Sequence, residues 1–199
     1  TLFRSKIESP PENEIFEPEL IEPIIVEDTL EAKNNCNCIA FRIDGIQDFW
    51  LNDVQLEILS TFEKTDTSIT LGVIGNHIGS DKKLIEFFIK HQQDFNFEIA
   101  NNGWSFEDFS KLNYEDQNSI ILKSNTKLAS IFGAKPVTFI PPYNQINEDT
   151  LKALKTNQIE IISSTIFLDE PSSTQSENLV YHLPYTAYTS DFDVQENQY

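Results

Sequence analysis

The chain has 199 residues, 39% of them hydrophobic and 12% aromatic, enough side chains to fill one sizeable core. Its 14 Lys and Arg against 32 Asp and Glu give a formal charge of -18, which repels phosphate backbones and anionic headgroups and argues against nucleic acid as a partner. No stretch approaches the roughly 18 to 20 unbroken apolar residues of a spanning helix, so no transmembrane segment is expected.

Residues 1–35 place Pro10, Pro11, Pro18 and Pro23 among seven glutamates running from Glu12 to Glu31. Proline removes amide donors and like charges repel, so this region is expected to be an extended acidic arm or linker with little core of its own. Its apolar patches, Ile15-Phe16 and Leu20 to Val26, are suited to docking on a surface. The chain opens at Thr1, and a signal or anchor segment is expected to have been removed ahead of it. Cys36 and Cys38 are one residue apart, where a disulfide would close a small strained ring. Buried free thiols are one account of them; half of a metal site is the other, without further cysteines to complete it.

From residue 36 to 199 the pattern becomes that of one domain, with short apolar runs alternating with helix-period segments. Cys38 to Ile43 reads as a buried strand, and 52–64 as a helix behind a polar cap with Val54, Leu56, Ile58, Leu59 and Phe62 mostly on one face. A β-branched strand follows at 69–74, then a helix capped by Asp81 and carrying Leu84, Ile85, Phe88 and Ile89. A strand near 97–100 leads to the longest helix, 114–132, stopped by Gly133. Strands at 137–140 and 159–163 flank a short helix at 147–155, and 179–182 is a last strand in a loop-rich end. Alternation at this spacing calls for parallel βα units in an α/β, barrel-like fold. About five or six units are present where a full barrel has eight, so an incomplete or distorted barrel is expected.

Four segments, each at the C-terminal end of a predicted strand, carry more than fold information. They are Phe41-Arg42-Ile43-Asp44-Gly45-Ile46-Gln47-Asp48-Phe49-Trp50, Gly72-Val73-Ile74-Gly75-Asn76, Glu98 to Phe109, and Phe139-Ile140-Pro141-Pro142-Tyr143-Asn144. In order and spacing they resemble the polysaccharide deacetylase family with the NodB-homology fold. The first is similar to its Thr-Phe-Asp-Asp-Gly motif, the third to its His-x-x-x-His motif and the last to its Arg-Pro-Pro-Tyr motif.

The resemblance implies a chemistry in which the first Asp is a general base and the second Asp and two histidines hold a divalent metal. Asp44 falls on the base position. The three metal positions fall on Gly45, Asn102 and Phe106, and Ile140 replaces the arginine expected to orient the base. A metal takes bound water from a pKa of about 15.7 to about 7, worth on the order of 12 kcal/mol toward hydroxide. A lone carboxylate supplies nothing comparable. The expectation is therefore no metal and no cofactor, with Asp44 idle as a base or capping backbone amides. The rival expectation is an active deacetylase with zinc or another divalent metal held by Asp44, Asp48 and His77, aided by Glu107 or Asp108.

An old sugar groove is expected around Gln47, Asp48, Trp104, Pro142, Tyr143 and Asn144, because aromatic planes suit the C–H faces of sugars. Phe106 reads as a plug in the vacated metal site, and His91 as a surface residue. His182 corresponds loosely to the family's late histidine, a proton donor. Together these imply an inactive homologue, extracytoplasmic at the cell surface or secreted, that binds a glycan or a protein partner in a surface or membrane-associated complex. Open sheet edges in a short barrel would need such covering.

Overall fold

The computed structural model describes residues 39–91, 96–165 and 180–185. The arm at 1–35, Cys36 and Cys38 lie outside the described residues. Six strands, β1 (Phe41–Ile46), β2 (Ile69–Val73), β3 (Phe97–Asn101), β4 (Thr138–Phe139), β5 (Ile161–Ile162) and β6 (Tyr181–His182), form one sheet in chain order, every pair parallel. Four helices, α1 (Asn52–Lys64), α2 (Lys82–His91), α3 (Tyr114–Phe132) and α4 (Glu148–Thr156), supply the crossovers between the first five strands. Among the described residues β1 and β6 do not pair, so the sheet is open, as expected of an incomplete barrel.

In-register neighbours share a face. Phe41, Ile43, Ile69, Leu71, Phe97 and Ile99 meet Leu59 of α1, Leu84 and Phe88 of α2 and Leu128 of α3 in one core. A second core joins Phe109, Ile121, Phe139, Ala153, Leu154 and Ile162. The length of α3 lets Ile121 and Leu128, two turns apart on one stripe, serve both. The opposite face of the sheet is polar. Glu98 accepts hydrogen bonds from Thr70 (2.9 Å) and from Thr138, tying β2, β3 and β4 together there.

Caps explain most helix boundaries. The Asp81 carboxylate accepts from the amide of Lys83 at 3.0 Å, Asn113 caps α3 through Asp116, and Asn147 forms a reciprocal box with Thr150. Gly133, at φ 78°, ends α3 in the left-handed region. The start of α1 departs from expectation. Leu51, at φ 45°, stands at its N-cap and has no polar side-chain atom to cap with, while Asn52, the first helical residue, donates its amide to Asp81. The apolar face also splits: Leu56, Leu59 and Phe62 turn inward, whereas Val54 and Ile58 point to solvent. His91 is likewise not a free surface group, since it meets Glu63 of α1 and lies against Phe87.

Candidate functional site

All the segments singled out in the sequence lie at or just beyond the C-terminal ends of the strands. The parallel ladder continues past the strands there: Ile74 N donates to Ile46 O, Asn102 N to Val73 O and Ile140 N to Asn101 O, at 2.8–3.1 Å. This stacks the ends of β1 to β4 side by side. Within β1 the pairing steps from Ile43↔Leu71 to Ile46↔Val73, so one extra residue is accommodated at Asp44-Gly45. Such a bulge bends a strand and re-aims a side chain. Gly45 takes φ 80°, Ile46 returns to the helix-side core, and Asp44 remains on the polar face.

The floor beneath Asp44 is Gly72. A β-carbon there would lie 3.0 Å from Ile140 Cδ1, 3.3 Å from Asp44 Cα and 3.4 Å from Asn102 Cβ, so these three residues converge on one point. Asn102 is buried and its amide is used at both ends: Oδ1 accepts from Gly45 N at 3.0 Å and Nδ2 donates to Ile140 O at 2.8 Å. Ile140 fills the floor with a methyl group.

Asp44 is not left without an arginine. Arg42, two residues earlier on the same side of β1, meets its carboxylate with Nε–Oδ1 and Nη2–Oδ2 contacts of 2.8 Å each. Arg42 Nη1 also donates to Ser163 Oγ at 2.7 Å, and the guanidinium lies 5.2 Å from the Tyr185 ring centroid. It thus bridges the first strand to the segments after β5 and β6. Burial pushes the Asp44 carboxyl above its ordinary value of 3.8, opposed by the charge and hydrogen bonds of Arg42; water reaches 43% of the side chain, which tempers the push. The sequence reading missed Arg42, Ser163 and Tyr185, although the i, i+2 spacing of Arg42 and Asp44 on a strand was the available signal.

Gln47 turns its side chain back to Gly45 O at 3.3 Å, and Asp48 is bound to the loop after β2, its N–H donating to His77 O at 2.7 Å and its Oδ2 accepting from Ser80 N at 2.5 Å. His77 Nε2 lies 3.1 Å from Ser105 Oγ, with Phe106 edge-on at 5.6 Å. Phe106 itself is exposed at φ 59° and is not a plug; the left-handed turn carries its ring out of the floor that Ile140 occupies. Glu107 accepts from the amides of Trp104 and Ser105, and Asp108 caps Ser110 and pairs with Lys111. Trp104 is half-buried beneath Lys123, whose Nζ is 3.8 Å from the ring centroid. Tyr143 is exposed next to buried Pro142, and Asn144 turns its N–H back to Pro141 O at 3.0 Å. His182 Nε2 lies 3.1 Å from Ser164 Oγ, on β6.

The sequence profile described as polysaccharide deacetylase matches residues 31–162. The chain belongs to the polysaccharide deacetylase family. Solved structures of similar fold include a carbohydrate esterase family 4 pseudoenzyme from Bacillus anthracis, at 16% identity and TM-score 0.54 over 62% of this chain and 42% of that one. A family 4 carbohydrate esterase from Streptomyces lividans in complex with acetate gives 16% and 0.53 over 66% and 64%. A family 4 acetyl xylan esterase from Clostridium thermocellum in complex with a cobalt ion gives 15% and 0.51 over 63% and 57%. This deacetylase-family chain therefore spans about two fifths to two thirds of those proteins, and the likeness establishes its fold. No curated protein sequence matches it.

A divalent metal of the kind the family's motifs imply does not suit the residues at this floor. Gly45 and Phe106 offer no side-chain lone pair, and both ends of the Asn102 amide are engaged. Among the described residues no group of three or more His, Cys, Asp and Glu is placed to hold a metal ion. Asp44, Asp48 and His77 are each bound to a different partner.

Proposed function

We propose that this family member no longer deacetylates and acts as an extracytoplasmic binding or scaffolding subunit, within a protein complex or on a glycan. The observation that carries this reading is the closed set of contacts at the floor, where Gly45 N, Asn102 and Ile140 O satisfy one another and leave no side-chain donor for a metal beside Asp44. A general base must be free to take a proton from water held close to it. Beside the base position the described residues offer no side-chain set that could hold a Lewis acid to bind and activate that water. The likeness to a B. anthracis protein termed a pseudoenzyme shows that the fold occurs without its catalysis in that case. The chain's family is named for polysaccharides and the Clostridium esterase for acetyl xylan, in keeping with a place outside the cytoplasm.

The test combines the metal content of the purified chain with acetate release from acetylated chito-oligosaccharides. The expected result is no stoichiometric zinc and no turnover. Zinc at one per chain, with acetate release abolished by Asp44→Asn, would replace this reading with that of a working deacetylase with a rebuilt site. For the binding role, native mass spectrometry of material from the source should reveal a larger assembly, or a glycan array a signal lost in Trp104→Ala.

A further inference from the structure

The first crossover presents apolar surface that the other described residues leave uncovered. Phe49, Trp50, Leu51, Val54 and Ile58 are 71%, 59%, 51%, 49% and 37% exposed, a run from the tip of the β1–α1 loop along one side of α1. Positions 51, 54 and 58 are three and four residues apart, so they form a stripe. Scattered apolar residues on a surface mean little, whereas a contiguous set of this kind marks a contact site.

The tip is built rather than slack. Buried Gln55 accepts from Gln47 N at 3.1 Å and donates to the carbonyls of Gln47 (3.0 Å) and Trp50, clamping the loop from below. Phe49 and Leu51 are held in the left-handed region, at φ 57° and 45°, which non-glycine residues adopt only where surrounding contacts fix them.

Charge selects the occupant. Between Asn52 and Glu63 the helix has no basic residue, with Lys64 only at its far end, and Asp53 and Glu57 sit beside Val54 and Ile58 in sequence, while Glu63 is engaged by His91, on a chain whose formal charge is -18. A second copy would bring acid against acid, and anionic lipid would be repelled. We infer that the α1 stripe and the Phe49–Leu51 tip form a docking face for a partner protein presenting an apolar helix stripe flanked by Lys and Arg. This rests on the scaffolding reading above and names the partner class it requires.

The probe is a synthetic helical peptide with leucines on one face and lysines and arginines flanking them. It is compared with a scrambled peptide of the same composition and with a glutamate-flanked counterpart. The full chain should bind the patterned basic peptide at least about ten-fold more tightly than either control, and the charge-neutral variant Val54→Ser/Ile58→Ser should lose at least about ten-fold. Ile58 is only 37% exposed, so the double variant's thermal melt should fall somewhat, and the single variant Val54→Ser, 49% exposed, must show the same direction of binding loss in a chain that circular dichroism shows to be folded. Equal affinity for the scrambled peptide, or unchanged affinity in the variant, overturns the assignment. So does self-association, or binding to zwitterionic phosphatidylcholine vesicles, that the variant abolishes. A native assembly that survives Val54→Ser/Ile58→Ser overturns this face while leaving the scaffolding role intact; a chain that is monomeric at its source and binds no glycan removes that role itself.

Discussion

Arg42 and Asp44 face each other through two parallel contacts, Nε to Oδ1 and Nη2 to Oδ2, both 2.8 Å long. The pair gives the base position a fixed partner on its own strand, and it makes the protonation of Asp44 part of the stability of the fold. Burial outweighs the arginine, so the folded chain holds the Asp44 proton more tightly than the unfolded chain does. The stability linked to this group is therefore fully present below pH 3.8 and is lost as the pH rises through the higher folded value. Unfolding free energies of wild type and Asp44→Asn, measured from below pH 3.8 to neutrality, should show their difference moving against the wild type over that window and then levelling. A difference that moves the other way would mean that Arg42, and not burial, dominates.

Gly45 isolates a backbone effect. Its φ is 80° and a β-carbon placed there would meet nothing within 4 Å, so Gly45→Ala should cost about 1 kcal/mol without any clash. Urea unfolding measures it directly. Gly45→Asp, which restores the family's carboxylate, should carry the same backbone cost, so a gain of stability in either variant would contradict the geometry at the bulge.

Gly75, in the turn after β2, tests a close approach. A β-carbon on it would lie 2.5 Å from Ser124 Oγ and 3.1 Å from Ser124 Cα on α3. Gly75→Ala should destabilise by about 1–3 kcal/mol through overpacking. Ser124→Ala removes the hydroxyl, together with its 3.0 Å bond to Gly103 O, but not the α-carbon contact. The double variant should thus be less unstable than the sum of the singles, a coupling that a double-mutant cycle resolves.

Gln55 holds the loop tip. Gln55→Leu leaves the Gln47 amide and the carbonyls of Gln47 and Trp50 without their partner, at a cost of about 2 kcal/mol. In a Trp104→Phe background, fluorescence of the remaining tryptophan, Trp50, should change as the tip loosens. An unchanged emission spectrum would show that the tip keeps its shape without the clamp.

Periodicity carried the fold well where the elements are long. The bounds of α1 and α3 follow from their apolar spacing and stop signals, because burial of one face dictates those residues. The first strand is harder. The apolar run Cys38 to Ile43 suggests an end at Ile43, yet β1 continues through the Asp44-Gly45 bulge to Ile46, polar residues that resemble a loop in one dimension. The two-residue strands β4, β5 and β6 are shorter than their apolar runs for the converse reason, since burial extends past pairing. At the site, Asp44 and Asn102 were legible through the family's motifs. The Arg42–Asp44 pair was open to reading from its i, i+2 spacing, but the bond from Arg42 to Ser163 was not, because the two lie 121 residues apart. Phe106 misled because residue type suggests filling, while its left-handed backbone decides direction.

Strand order that copies chain order has a consequence for biogenesis. Each new βα unit finds its neighbour already synthesised, so the sheet can grow vectorially from β1 without waiting for distant sequence. The Arg42 to Ser163 bond is the exception, and it can form only after most of the domain has left the ribosome. The clasp across the polar face therefore closes late, with only β6 still to pair, and a nascent chain halted before β5 would carry its Asp44–Arg42 pair without that bond.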